Sequence, residues 1–327
     1  MRAMLLLAGA AAVAGAAAWL ASIRGAEQRA PAGGTAAACG PSFVESPYPG
    51  MVLVPAGSFT MGADNTFPEE GPASPQSVDA FWMDRTEVTN AQFAEFVAAT
   101  GYRTLAERGV RVTAAADSPV VAGSAVFRPQ AENARAGLES WWTFLPGAHW
   151  REPDGPGSSL DGREQHPVVH VAFEDAAAYA AWAGRSLPTE AQFEWAAQTS
   201  ARRSSSGEHA ANTWQGLFPM RNDAADGYAE AAPVACFAPN ALGLYDLVGN
   251  VWEWTASAYY PRHDFAAVAE HPNGYDPNQP DEPVAVLKGG SYLCAPDYCM
   301  RYRPQARIGQ SRGLGTSHIG FRTVLTP

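Results

Sequence analysis

The sequence predicts a single α+β domain that is irregular, rich in loops and low in regular secondary structure. Its 327 residues include 31 glycines, 26 prolines and 10 tryptophans. Glycine and proline favour turns, and indole rings are large enough to hold loops around a core. Apolar residues follow helical spacing in only three short segments, and no internal repeat is present. We place this domain at residues 46–327.

Two short strands and a helix are predicted at the start of the domain. Residues 51–61 alternate apolar and small side chains, which is typical of a strand that runs into a turn. Residues 78–84 form a second run of strand length. Thr89 then offers a capping oxygen to a helix over residues 91–97, which Gly101 ends.

Two further helices are predicted in the middle of the chain. Residues 103–140 show little periodicity and are expected to form an insertion loop. The alanine-rich segment 176–183 has helical spacing, and another helix is predicted over residues 189–197 with Gln192 as a capping-box partner. Residues 198–327 favour loops and short strands.

Residues 1–24 are predicted to be a targeting segment. Arg2 precedes an apolar run of about 19 residues, mostly alanine, and a bilayer takes about 20. The run is therefore a signal peptide or a membrane anchor, and both predict a periplasmic or other extracytoplasmic location. Residues 25–45 are expected to be a disordered linker. Export would allow Cys39 and Cys236 to bridge linker and core, or they stay free.

The net charge limits the possible partners. It is −11 at pH 7, from 33 acidic and 22 basic side chains. Nucleic acid and anionic membrane surfaces are bound chiefly by basic patches. Neither is therefore expected as a partner of the domain.

Two of the four cysteines lie five residues apart near the C-terminus. Cys294 and Cys299 follow a Gly-Gly-Ser sequence. Such a pair of thiols can bind a soft metal, attack an electrophile or close a disulfide, and the spacing alone leaves all three open. Arg301, Arg303 and Arg307 come next and are expected to brace loops against carboxylates.

A pair of histidines has a spacing that also occurs in metal sites. His166 and His170 are separated by three residues that favour a strand. At ~3.3 Å per residue a strand would hold the two imidazoles about 13 Å apart, too far for one metal. We expect a structural role for both.

Six motifs together resemble the formylglycine-generating enzyme (sulfatase-modifying factor) family. They are residues 54–62, 184–195, 212–216, 240–254, 288–303 and 317–322. The resemblance runs from about Met51 to Val324, and the paired cysteines single out its oxidase branch. It implies the irregular fold of that family, which is related to C-type lectins.

The resemblance implies a copper-dependent oxidase. Its substrate would be an unfolded sulfatase-type polypeptide, whose cysteine in a Cys-x-Pro-x-Arg segment becomes Cα-formylglycine with dioxygen and a reductant. Cys294 and Cys299 would bind Cu(I), which soft thiolates select. Ser291 would supply a hydroxyl beside the metal, and Trp252 a wall of the substrate pocket. Turn chemistry at Ser291 and ordinary core packing at Trp252 are the alternatives.

The resemblance also implies two structural calcium sites and a monomer. The first site would be formed by Asp246, Gly249, Val251 and Glu253, and a weaker second one by Asn212, Thr213, Asp226 and Tyr228. Such flexible sets of oxygen ligands suit Ca²⁺. The alternative for each is a carboxylate hydrogen-bonded into a tryptophan-rich turn.

The chain departs from the family pattern in its leader and at two internal places. Residues 199–207 replace the family's usual aromatic-Pro-Trp-Gly turn, and alanines stand at Ala180 and Ala197, where vertebrate members have cysteines. The same scaffold also serves two other functions. A non-catalytic protein-binding module would not need both cysteines. An iron-dependent sulfoxide synthase would need a carboxylate where Ala172 stands and a third histidine.

Overall fold

The computed structural model describes most of the chain from Cys39 onward, and this part forms one unit. The described residues are 39–40, 46–111, 119–128, 141–198, 210–263, 268 and 270–326. The predicted targeting segment 1–24, most of the linker 25–45 and the whole of segment 199–207 lie outside them. Within these ranges, no helix is long and apolar enough to cross a membrane.

Thirteen strands and four α-helices are present in the described ranges. The strands are β1 Met51–Val54, β2 Gly57–Met61, β3 Ser74–Val78, β4 Phe81–Asp84, β5 Val110–Arg111, β6 Val120–Val121, β7 Gly123–Phe127, β8 Trp142–Pro146, β9 Trp252–Ala258, β10 Val284–Lys288, β11 Arg307–Ser311, β12 Ile319–Gly320 and β13 Val324–Leu325. The helices are α1 Asn90–Thr100, α2 Leu105–Arg108, α3 Phe173–Trp182 and α4 Glu190–Gln198. These elements are short, so the predicted loop-rich α+β fold is confirmed.

The largest sheet positions the candidate site. Its strand order is β11-β10-β9-β12, and the central strand β10 is buried along its whole length. The register places Glu253 opposite Lys288 and Trp252 opposite Ile319. The start of β9, the end of β10 and the start of β12 therefore lie at the same end of the sheet. A second sheet has the order β1-β4-β13, and three antiparallel pairs complete the strands.

Buried ion pairs fix the end of β10 against α4. Lys288 Nζ lies 2.8 Å from Glu194 Oε2, and both side chains are fully buried. Glu194 also accepts a hydrogen bond of 2.7 Å from the Gly62 backbone amide. Arg307 on β11 donates to Glu190 over 2.7 Å. Buried charges need such partners, so breaking one pair would cost several kcal/mol, about 3–5.

The predicted helices are confirmed. The first extends slightly beyond the predicted 91–97 and begins with a complete capping box between Thr89 and Gln92. Gly101 ends it in the left-handed conformation, at φ 67°. The helices predicted at 176–183 and 189–197 correspond to α3 and α4. Local chemistry was sufficient to predict these elements.

Three predicted segments differ from the structure. Residues 51–61 form two strands, because Pro55 separates β1 and β2, which pair with different partners. The predicted strand 78–84 is interrupted between β3 and β4. The described part of segment 103–140 contains α2, β5, β6 and β7. These elements have at most five residues and pair with each other or with β8, so they leave little periodicity in the sequence.

A disulfide ties the start of the described chain to its interior. Cys39 and Cys236 form a disulfide bond, and they are 197 positions apart in the sequence. Tyr228 Oη lies 3.5 Å from the Cys39 sulfur. Of the two options for these cysteines, the bridge is therefore the one present.

Candidate active site

Cys294 and Cys299 are brought together by the loop between β10 and β11. The Cys294 amide donates to the Ser291 carbonyl over 2.9 Å, and the Cys299 amide donates to the Ala295 carbonyl over 3.1 Å. The two tight turns fold the segment back on itself. Both cysteines are free thiols, and their side chains share a hydrogen bond. Cys294 is buried, whereas Cys299 is partly exposed.

The two thiols differ in acidity. Burial raises the pKa of Cys294 well above its usual value. The hydrogen bond from the Cys294 thiol lowers the pKa of Cys299 to about 7, and the guanidinium of Arg301 contributes in the same direction. Cys299 is therefore the thiol that ionises near neutral pH, and the Cys294 thiol donates a hydrogen bond to the resulting thiolate.

Arg301 was not among the predicted site residues. Its guanidinium donates to Glu69 over 3.0 and 2.5 Å and lies 4.0 Å from the centre of the Phe67 ring. The expected bracing role is thus confirmed, as it is for Arg303 with Glu70. Arg301 additionally hydrogen-bonds to Cys299. Its place two residues after the second cysteine was the available sequence signal.

Ser291 and Trp252 are both buried and lie close to Cys294. Ser291 is fully buried, and its Oγ lies 3.1 Å from His318 Nδ1. Trp252 is 2% exposed and belongs to the same apolar cluster as Cys294. Core packing therefore accounts for Trp252 as it stands, and its role as a pocket wall stays a prediction.

Three aromatic rings lie beside Cys299, and one of them, Tyr298, is exposed. The Tyr298 ring is stacked on Phe218 with centroids 4.2 Å apart, and Trp141 packs edge-on against both. We call these three rings the aromatic platform. Tyr298 is 53% exposed, and Leu217 beside Phe218 is 59% exposed. An apolar surface of this kind next to a reactive thiol suits an extended polypeptide.

The first predicted calcium cluster contains a third carboxylate, Glu87. Its carboxyl group lies within hydrogen-bonding reach of Asp246. Asp246 accepts a 2.7 Å hydrogen bond from the Ala235 amide. Glu253 forms a buried two-bond pair with Arg322, each bond 2.7 Å long. Glu87 was missed because it lies on a loop far away in sequence.

This cluster has more negative than positive charge. Burial and mutual repulsion raise the pKa of Glu87, burial raises that of Asp246 to about 6, and burial also raises the pKa of Glu253. Within the described ranges Glu87 Oε2 accepts no hydrogen bond, and Arg322 lies 4.0 Å from it. A buried carboxylate oxygen without a partner fits a cation.

The second predicted cluster is largely satisfied by protein groups. Asp226 accepts hydrogen bonds from the amides of Thr213 and Tyr228, at 3.1 and 3.0 Å, and from the Gln215 side chain at 2.8 Å. The carboxylate alternative therefore accounts for Asp226. Of the four residues of this set, Asn212 alone has a buried side-chain oxygen without a partner in the described part of the chain, which leaves a weaker case for calcium here.

The residues available limit the kinds of metal site. Among the described residues no three His, Cys, Asp or Glu side chains form a metal-binding group. A metal would have to be held by two thiolates, or by one or two carboxylates with backbone oxygens. His170 is fully buried and its Nδ1 lies 2.9 Å from Ser124 Oγ, while His166 lines a separate cavity of about 460 Å³. Between the two histidines only Pro167 forms an isolated β-bridge, with Thr89. The prediction of a strand over residues 166–170 is therefore wrong.

Comparison with known proteins gives a consistent result. Residues 36–327 match the model of the sulfatase-modifying factor enzyme 1-like domain. The chain is 46% identical over 299 residues to the formylglycine-generating enzyme of Mycobacterium tuberculosis, covering 85% of this chain and 98% of that protein. It is 42% identical over 292 residues to that of Thermomonospora curvata, covering 85% and 94%. In fold it resembles PvdO from Pseudomonas aeruginosa, with a TM-score of 0.55, 23% identity and coverage of 85% and 94%.

Proposed function

The chain belongs to the sulfatase-modifying factor enzyme family, and on that premise we propose that it oxidises a cysteine of sulfatase-type polypeptides to Cα-formylglycine. The pair of free thiols at Cys294 and Cys299, next to the aromatic platform with its exposed Tyr298, carries the proposal. The substrate would be an unfolded Cys-x-Pro-x-Arg segment. Dioxygen oxidises its CH₂SH group to an aldehyde, hydrogen sulfide leaves, and a reductant supplies the electrons that reduce the second oxygen atom to water.

The thiol pair fits Cu(I). Two adjacent sulfur ligands are the donor set that Cu(I) prefers, and Cu(I) supplies the one-electron reactivity toward dioxygen that side chains lack. Cys299 would bind as the thiolate it readily forms, and Cys294 would give up its proton on binding. Arg301 favours the ionised form of Cys299.

The protein's own groups would hold the substrate. The exposed Tyr298 of the aromatic platform would offer a stacking surface to apolar side chains of an extended segment. Trp252 would form a wall of the substrate pocket, and Ser291 would present its hydroxyl beside the metal. Burial of Cys294 keeps water from one side of the pair. These features orient the substrate thiol toward Cys299, the more accessible sulfur.

Calcium would have a structural role. The buried carboxyl groups of Glu87, Asp246 and Glu253 lie near one guanidinium, that of Arg322. One or two of these carboxylates would bind Ca²⁺ together with the backbone carbonyls of Gly249 and Val251. The second set would hold calcium less strongly. Neither cluster includes the thiols, so calcium would act on stability.

Export remains part of the proposal. The apolar run in residues 1–24 would direct the chain across the cytoplasmic membrane, with or without an anchor. The Cys39–Cys236 disulfide supports an oxidising compartment. Substrates would then be met after translocation, while still unfolded.

Aerobic incubation with a synthetic peptide tests the proposed function. The protein is loaded with Cu(I), supplied with a thiol reductant and given a Cys-x-Pro-x-Arg peptide. Mass spectrometry should show an aldehyde in place of the cysteine side chain, trapped by a hydrazide. A peptide with serine in place of cysteine is the control. An unchanged cysteine peptide, with copper bound, would rule out this activity.

A further inference from the structure

His318 contacts Ser291, and the sequence prediction assigned it no role. It immediately precedes β12, and its carbonyl accepts a 2.9 Å hydrogen bond from the Trp252 amide. Its ring packs against Trp142 with centroids 4.7 Å apart. The imidazole thus lies between Trp142 and Ser291, at the end of the sheet where the cysteine loop begins.

The only described group facing the Ser291 hydroxyl that can accept its proton is His318. The Leu293 amide donates to Ser291 Oγ over 3.3 Å and occupies one lone pair. An amide cannot accept, so the hydroxyl proton needs another partner. His318 Nδ1 lies 3.1 Å from Oγ. We assign the bond as Ser291 donating to Nδ1, which leaves one lone pair of Oγ with a fixed direction.

The segment that carries His318 is held in place by β7. Ser124 Oγ donates to the Gly315 carbonyl over 2.7 Å, and the Ser317 amide donates to the Ala125 carbonyl over 3.0 Å. The Phe127 amide donates to Ser317 Oγ over 3.1 Å. A Cβ at Gly315 would lie 2.7 Å from backbone atoms of His170, so the chain packs closely there. These bonds fix the position of the imidazole.

The imidazole of His318 is neutral. Burial lowers its pKa to about 3, and the nearby His170 acts in the same direction. A neutral ring has one nitrogen that can accept a hydrogen bond. His318 is therefore able to accept from Ser291 throughout the neutral range.

We propose that His318 is a positioning residue that fixes the direction of the Ser291 hydroxyl beside the cysteine pair. The inference rests on the proposed function and deepens it. An unrestrained serine hydroxyl rotates among several directions. His318 and the Leu293 amide hold the Ser291 hydroxyl in one direction. The remaining lone pair of Oγ then has a fixed direction and can accept a hydrogen bond from a donor of the substrate segment.

Two amide replacements separate positioning from simple packing. His318→Asn places an acceptor oxygen where Nδ1 stands, whereas His318→Gln places its amide further out, where Nε2 stands. We expect His318→Gln and His318→Ala to lower kcat about 100-fold with little change in KM, because a misdirected group affects the reaction more than binding. His318→Asn should recover most of kcat.

Coupling to Ser291 supplies the second readout. Ser291→Ala combined with His318→Ala should be no slower than Ser291→Ala alone, because His318 acts only through the Ser291 hydroxyl, which is then absent. Cu(I) affinity, measured by competition with a chelator, should stay unchanged, since neither residue is a ligand. His271→Asn is the matched control, because His271 stacks on Tyr275 away from the site and should keep wild-type kcat.

The outcomes distinguish the inference from the function on which it rests. Suppose that the wild type is active. If His318→Gln and His318→Asn then have equal kcat, or if the losses of the two single variants multiply in the double variant, the role of His318 is overturned and the proposed function stands. If His318→Ala does not fold, the Asn and Gln pair decides. A wild type that carries copper and leaves the peptide unchanged refutes the proposed function, and the role of His318 with it.

Discussion

At the scale of single residues, the two thiols of the site have different surroundings. Cys294 lies in the apolar core cluster, while Cys299 is partly exposed and next to the Arg301 guanidinium. The hydrogen bond between them keeps the proton on Cys294. A pair that is half ionised before the metal arrives releases fewer protons on binding.

The acidity of Cys299 can be measured directly. In metal-free protein, alkylation of Cys299 by iodoacetamide should rise with pH around a midpoint of about 7, because only the thiolate reacts. Cys294 should react much more slowly. Arg301→Gln should move the midpoint upward, whereas Arg303→Gln, which removes the partner of Glu70, should not. Peptide mapping follows each thiol. A midpoint near the ordinary thiol pKa of about 8.5 in the wild type would contradict this assignment.

At the scale of elements, the loops around β9 concentrate carboxylates that the described protein groups do not neutralise. Glu253 already has Arg322 as a partner, so changing Glu253 would leave a buried guanidinium unpaired. Asp246 accepts a hydrogen bond from a backbone amide and lies within hydrogen-bonding reach of Glu87, and Arg322 acts on it through its charge. Asp246 is therefore the residue whose change reports on calcium most cleanly.

Calcium dependence of stability tests this cluster. Calcium should raise the melting temperature of the wild type at pH 7 and leave that of Asp246→Asn unchanged, because a bound ion stabilises by mass action. Asp175→Asn, outside the cluster, should keep the response. A melting temperature indifferent to both calcium and chelator in the wild type would exclude the site.

The pH dependence of the metal-free protein follows from the same residue. An acid whose folded pKa is raised holds its proton more tightly when folded, so stability is lost as pH rises between 3.8 and about 6. Without calcium, Asp246→Asn should lack this loss. Saturating calcium should remove it from the wild type. Equal pH profiles for the metal-free wild type and Asp246→Asn would contradict the raised pKa.

The disulfide gives a third prediction at this scale. Changing Cys39 and Cys236 together to serine should lower the free energy of unfolding by about 2–4 kcal/mol, because the unfolded chain loses a long-range constraint. Urea unfolding measures the difference. A reducing agent should weaken the wild type and leave the double variant unchanged. Identical unfolding curves under oxidising conditions would show that the bridge does not form in solution.

At the scale of the whole molecule, the sequence motifs predicted the cysteine loop and the capped helices. They did not predict contacts between residues that are far apart in the sequence. Thr89 with Gln92, and Cys294 with Cys299, are separated by a few residues, so pattern and spacing indicated them. Glu87 meets Asn250 across 163 residues. Only folding brings such groups together, and no local pattern marks them.

Location is also a property of the whole chain. A reporter enzyme that is active only outside the cytoplasm, fused after residue 45, should be active if residues 1–24 direct export. The same fusion without residues 2–24 is the control and should be inactive. Activity from a cytoplasmic reporter at that junction, with none from the exported one, would refute the proposed location.

The central claim is that the thiols of Cys294 and Cys299 hold the copper on which oxidation depends. The most direct measurement adds Cu(I) stepwise to metal-free protein and follows aldehyde formation in a Cys-x-Pro-x-Arg peptide. The account predicts that the rate rises until one copper is bound per chain, and that Cys294→Ser and Cys299→Ser remain folded and inactive at every copper level. Full turnover without copper, or in either serine variant, would contradict it.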